Sequence, residues 1–320
     1  MKIVFKKILI LLLTMFIVSF CVFLSFEFIN GDVATSILGI ESTPEALEQL
    51  REEMGLNRPF LVRYFDWVGH FIVGDLGFSY SYNMDVSAIL FGKLFINLVL
   101  TGIAFIFVVV MAIPLSVTAV WKKDGWLDKV ICTINQVIMA VPPFFSGILI
   151  TFVFGLTFRF FVPGGYISYE ENFFGFISYM IFPAFSIALP KMAMVISLLR
   201  ASLQTEIKKD YIMTAFSKGN NYYNVLVNHA LKNAILPVVT FLGMTIADMM
   251  VGSIIIEQIF GIPGMGGVLI NAISNRDYEL TLAIIVTMAF FVVVFNTIVD
   301  ICYRLIDPRI RKNGSIGEEA

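Results

Sequence analysis

Of 320 residues, 58% are hydrophobic and only 14% charged, with a mean hydropathy of +0.86, where a soluble domain carries about 25% charge. So few charges cannot cover a water-facing surface. The 32 Phe and the net charge of −2 argue against nucleic-acid binding, which needs a basic face, and the same composition rules out a disordered chain. The class that remains is an all-α polytopic membrane protein.

The spans are read in chain order. Ile8–Phe26 is an uncharged run behind Lys2, Lys6 and Lys7, close to the 20 or so residues a helix needs to cross hydrocarbon. It reads as a retained first span. It is long for the apolar core of a signal peptide, and no small-residue cleavage site follows it. The segment from Asn30 to Lys93 is too long for a simple loop. Within it Ser42 and Glu45 fit a capping box and Pro44 sits in the first turn. Leu47, Leu50 and Met54 recur at helical spacing, and Gly55 fits a stop. A small folded extracytoplasmic element is expected there.

Leu94–Val120 is the second span, closed by Trp121, Lys122 and Lys123. Val130–Phe158 is the third, and Pro142-Pro143 predicts a kink in it, because proline removes a backbone donor and clashes with the preceding turn. Asn172–Pro190 is the fourth and continues apolar to Leu199, with Lys191 inside it. The connection Arg200–Ala234 has helix-forming stretches at Ala201–Lys209 and Tyr211–Lys218, broken by Gly219-Asn220-Asn221. Ile235–Ile256 is the fifth span and contains Asp248; Leu280–Val299 is the sixth. With both termini inside, fifteen Lys and Arg fall in inner segments and six in outer ones, Lys191 being left over. That asymmetry predicts six transmembrane helices with cytoplasmic ends.

Raw material for covalent chemistry is scarce. Cys21, Cys132 and Cys302 show no metal or disulfide spacing, and His70 and His229 are the only histidines. No metal site and no catalytic residue is expected. There is no phosphate-cradling Gly-x-x-x-x-Gly-Lys-Ser/Thr loop. Any ATP would be hydrolysed by a partner, and the chain itself is not an enzyme. The two mid-span charges lie at similar depth: Lys191 is about 13 Å before Arg200 and Asp248 about 16 Å after Pro237, at 1.5 Å per residue on helices of opposite direction. Either they pair, or Lys191 snorkels to the inner face while Asp248 faces an aqueous pathway alone.

The fourth-to-fifth connection reads Lys209-Asp210-Tyr211-Ile212-Met213-Thr214-Ala215-Phe216-Ser217-Lys218-Gly219 and later His229-Ala230-Leu231-Lys232-Asn233-Ala234-Ile235-Leu236-Pro237. It resembles the EAA loop of permease subunits in ATP-binding-cassette importers, and more narrowly the dipeptide/oligopeptide/nickel branch. The resemblance extends to Met54-Gly55-Leu56-Asn57-Arg58-Pro59, Gly74-Asp75-Leu76-Gly77-Phe78-Ser79, Glu257-Gln258-Ile259-Phe260-Gly261-Ile262-Pro263-Gly264-Met265-Gly266, Arg276-Asp277-Tyr278 and Asp307-Pro308-Arg309. The pattern departs from the general one where Met213 and Thr214 stand before Ala215, and where the Ile-x-Leu-Pro element arrives late, at Ile235-Leu236-Pro237. Lys191 and Asp248 stand where that family usually has small or apolar residues.

The resemblance implies a type I importer permease fold: residues 1–93 as an N-terminal span plus outer element, 94–303 as the transport domain, and 304–320 as a cytoplasmic tail. It implies that Met213, Thr214, Ala215, Lys218, Gly219 and Tyr222 couple to a cytoplasmic ATPase. Pro142, Lys191, Asp248, Glu257 and Gly264 are the pathway or gating candidates. Glu257 and the Gly261–Gly267 turn would lie at the outer mouth, where a binding protein docks. The implied partners are a homologous permease, two ATPase subunits that hold ATP and magnesium, an extracytoplasmic binding protein and membrane lipid, in a bacterial-type cell membrane. The implied cargo is a peptide, with a nickel chelate or another small solute as the alternative within the branch. A secondary transporter, the alternative of another class, would show broken helices in repeated halves, and the sequence has no such repeat.

Overall fold

In the computed structural model, residues 2–28, 35, 43–53 and 55–306 are described. The helices are α1 (Lys2–Phe28), α2 (Pro44–Glu53), α3 (Phe60–Val73), α4 (Val86–Trp121), α5 (Trp126–Ala140), α6 (Pro143–Ile150), α7 (Phe173–Glu206), α8 (Asp210–Ser217), α9 (Tyr222–Val225), α10 (Leu231–Ala234), α11 (Leu236–Phe260), α12 (Met265–Ser274) and α13 (Tyr278–Ile306). The strands β1 (Phe78–Ser79) and β2 (Met84–Asp85) pair antiparallel just before α4. Wider π turns continue α6 over Thr151–Thr157 and join α9 to α10 over Leu226–Ala230.

Five helices (α1, α4, α7, α11 and α13) are long and apolar enough to cross a membrane, and the pair α5–α6 makes six if counted as one bent span. That pair corrects the kinked third span. The two helices meet at 109°. Val141 and Pro142 are both extended, and Pro143 opens α6 at its first turn. A proline disfavours helical backbone in the residue before it and suits the first helical position, so the Pro-Pro pair ends one helix and starts another.

The chain forms two compact units: Met1–Asn97 with Pro263–Val293, and Leu98–Ile262 with Val294–Ala320. In the first, Phe23, Tyr64 and Leu282 are buried together, with Phe20, Phe60, Trp67 and Tyr278 packed around them. The rings of Phe60, Tyr64 and Tyr278 meet Phe23 edge-on at 5.1–5.3 Å, the geometry aromatic quadrupoles prefer. The Tyr64 hydroxyl and Ser19 Oγ share a hydrogen bond of 2.9 Å, and Arg63 pairs with Glu27. The expected outer helix is present as α2. Ser42 and Met54 lie outside the described residues. Thr43 caps the helix, its Oγ1 accepting from the Ala46 N–H at 3.3 Å. Gly55 ends it with φ +64°.

In the second unit α7 is central and packs against α5, α6 and α11. Asn172 caps α7, its side-chain oxygen accepting from the Gly175 N–H at 2.9 Å. Tyr179 donates its hydroxyl to the Phe260 carbonyl, and Phe161 stacks on both Phe182 and Phe260. By contrast α4, α6 and the π turns that continue α6 expose the apolar Ile106, Val110, Ile148 and Phe152.

Candidate functional site

The connection between α7 and α11 is a built structure rather than a loose loop. The stretch Ala201–Lys209 is not a separate helix: α7 runs on to Glu206, because Leu203 and Glu206 face the interior. After a short turn α8 follows. Ile212 and Ala215 are buried, while Met213, Thr214, Ser217 and Lys218 face outward. Ala215, expected among the coupling contacts, therefore packs inward and supports the helix. Gly219 has φ +81°, a conformation that strains any side chain, and its N–H returns to the Phe216 carbonyl at 2.9 Å. Asn220 Nδ2 donates to the Ala215 carbonyl at 3.0 Å, which satisfies an acceptor left open at the helix end. Tyr222 stacks on Phe216, and Tyr223 meets the Trp121 ring at 5.1 Å.

A clamp ties this connection to both neighbouring spans. Glu206 is buried and accepts from the Tyr211 hydroxyl at 2.7 Å and from Lys209 Nζ at 2.5 Å. The same hydroxyl accepts from Asn233 Nδ2 at 2.9 Å. The end of α7, the first turn of α8 and the residues entering α11 thus share one phenolic oxygen. Burial, with the Glu206 carboxylate next to it, holds the Tyr211 phenol above its ordinary pKa. Glu206, Tyr211 and Asn233 were not among the expected site residues. Tyr211 and Asn233 lie within the two quoted stretches of the loop, but nothing in their spacing pairs them.

Pairs of polar side chains also join the apolar helices of the second unit. Lys191 Nζ donates to Asp248 Oδ2 at 2.9 Å, so the two mid-span charges do pair. Arg200 grips Asp128 with two bonds of 3.0 Å, Nε to Oδ1 and Nη2 to Oδ2; the Asp128 side chain is 5% exposed. Asn135 Nδ2 donates to Ser197 Oγ at 2.8 Å. Glu257 is fully buried and accepts from Ser253 Oγ, one turn earlier, at 2.9 Å. Pro142 stands exposed at the α5–α6 corner.

In the first unit, Gly264 precedes α12 in extended conformation. Two stretches nearly two hundred residues apart meet there. Asp277 Oδ2 accepts from Ser79 Oγ at 2.5 Å and from the Ser81 N–H at 3.1 Å. Glu279 Oε2 accepts from the Phe78 N–H at 2.5 Å. A cavity of about 330 Å³ adjoins these contacts, lined in part by Arg58, Trp67, His70 and Arg276.

Residues 112–312 match the family described as binding-protein-dependent transport system inner membrane component, and residues 1–101 match that family's N-terminal region. Among curated proteins, a probable peptide ABC transporter permease protein, y4tP, of Sinorhizobium fredii is 31% identical over 93% of this chain and 95% of its own length. The oligopeptide transport system permease protein AppB of Bacillus subtilis is 34% identical over 88% and 90%. A solved structure of the MetNI methionine ABC transporter in an inward-facing conformation aligns with TM-score 0.53 at 15% identity, covering 68% of this chain and 96% of the matched one. That likeness concerns the fold.

Proposed function

The chain belongs to the family of binding-protein-dependent transport system inner membrane components, and we propose that it imports peptides as one half of a permease pair. Its own part is to form and gate the pathway. The remaining subunits are a homologous permease, two cytoplasmic ATPases that bind ATP with magnesium, and an extracytoplasmic binding protein that delivers cargo. Both termini and the α7–α11 connection face the cytoplasm. The observation that carries this reading is α8. A short helix exposing Met213 and Thr214, and bonded through Tyr211 to the end of α7 and the entry of α11, suits the transfer of a docked ATPase's motion to two spans at once. Transfer of this kind needs an element that moves as a body and not a flexible tether. The names of the similar proteins support peptides as the cargo class.

Uptake of a radiolabelled oligopeptide by cells with and without the chain tests the proposal. Accumulation that needs the chain, stops when ATP is depleted and survives dissipation of the ion gradient is expected. Accumulation that follows the gradient, or a response to nickel chelates but not peptides, contradicts it.

A further inference from the structure

The Lys191–Asp248 pair sits on an unusual surface. Asp248 leaves 66% of its side chain open and Lys191 21%, although both lie within span-length apolar helices. An ion pair open to hydrocarbon is strongly disfavoured, and intramembrane charges face a polar cavity or a protein interior. The neighbouring exposed positions agree. On α11 the open face runs Thr240, Met244, Asp248, Gly252 at four-residue steps, with the aliphatic Val251 and Ile255 exposed beside it further along the helix, and on α7 it continues from Lys191 through Met194 and Ser197. Helical neighbours three and four apart share a face, so small, polar and thioether side chains adjoin the pair on both helices, and aliphatic ones take over beyond Gly252 on α11. On α4 of the same unit the exposed Ile106 and Val110 carry no polar neighbour of this kind at Gly102 or Val109.

We propose that Lys191 and Asp248 form a substrate-contact point on the wall of the pathway, where a zwitterionic peptide opens the pair by placing its ammonium on Asp248 and its carboxylate on Lys191. This rests on the peptide-import reading above and gives that pathway a residue-level contact. Charge complementarity commits the face to a ligand carrying both signs: a lone anion or cation satisfies one member and strands the other. Displacement leaves every charge paired, so no charge within the span is left without a partner. Met194 and Met244, unbranched and polarisable, flank the pair and adapt to irregular partners, which suits peptides whose side chains vary while their termini do not.

The test uses the assembled transporter with Met244→Cys, labelled by a membrane-impermeant thiol reagent, with the unsubstituted complex as the control for native cysteines. Labelling slowed at least fivefold by millimolar tri-alanine is expected, with protection lost for N-acetylated or C-amidated tri-alanine. Protection should also vanish in Met244→Cys/Asp248→Asn. If that variant assembles poorly, adding Lys191→Met removes both charges together and the same loss is expected. Absence of labelling, labelling that tri-alanine does not slow, or protection indifferent to the termini or to Asp248 overturns the proposal. Tri-alanine accumulation by the unsubstituted complex is followed separately. Its failure would strike the import reading, and a labelling failure beside normal accumulation would strike only this contact.

Discussion

Asp277 accepts a 2.5 Å hydrogen bond from Ser79, 198 residues earlier in the chain. Its Oδ1 also accepts from the Leu280 N–H at 3.3 Å and its carbonyl from the Thr281 N–H at 3.0 Å, so one residue caps α13 and anchors the β1–β2 hairpin. Replacing Asp277 with Ala removes both functions. A hydrogen bond to a charged group contributes about 1.5–3 kcal/mol and an N-cap about 1 kcal/mol. A fall of several degrees in the melting temperature of the purified protein, with new protease cleavage near the hairpin, is expected.

Gly77 lies against the same structure. Its φ is +82°, and a Cβ there would collide with the Glu279 carboxylate. Gly77→Ala should destabilise the protein by about 1–3 kcal/mol, the usual penalty for a strained backbone position. Because the clash and the Phe78 bond involve one carboxylate, Gly77→Ala and Glu279→Ala should be non-additive in thermal melts. Simple additivity would contradict the contact.

Arg200 and Asp128 join α7 to α5 through two parallel bonds. Removing the guanidinium strands a nearly buried carboxylate, a change that typically costs about 3–5 kcal/mol. Arg200→Ala should reduce the yield of folded protein sharply. Arg200→Lys should rescue only part of it, because an ammonium cannot reproduce the forked geometry. Full rescue by lysine, read by size-exclusion yield and melting temperature, would show that charge alone suffices.

The Tyr211 clamp has a pH signature. The phenol is neutral when it donates to Glu206, and its pKa is raised by burial and by that carboxylate. The clamp's contribution is therefore complete below the unfolded tyrosine value of about 10 and is lost as pH rises through the higher folded value. The stability that Tyr211→Phe loses relative to the parent should be equal at pH 7 and pH 9 and should shrink only above about pH 10.

Much of this architecture was legible in the sequence, for a physical reason: hydrocarbon thickness sets span length, so runs of uncharged residues mark spans regardless of packing. The common depth of Lys191 and Asp248 was legible because depth along an antiparallel pair of helices follows from residue counting, but that they pair and do not point apart is known only from the fold. The ends were less so. Lys93 and Arg200 looked like boundaries, yet helices continue through both, and Arg200 is accommodated by Asp128, a partner 72 residues away. Proline chemistry announced a break at Pro142-Pro143 but not a 109° turn, which depends on what α5 and α6 pack against. Glu257 looked like a wet residue at a span end; only the fold reveals that Ser253 and the interior enclose it.

In the proposed function α8 converts ATP hydrolysis into peptide movement through its clamp and its glycine stop. Its most direct test is simultaneous measurement of phosphate release and peptide accumulation in proteoliposomes holding the complete transporter, for the parent, Tyr211→Phe and Gly219→Glu. A fixed ratio of peptide to phosphate in the parent, falling at least tenfold in Gly219→Glu and severalfold in Tyr211→Phe in correctly assembled complexes, is the expected result. An unchanged ratio in both variants would contradict the claim.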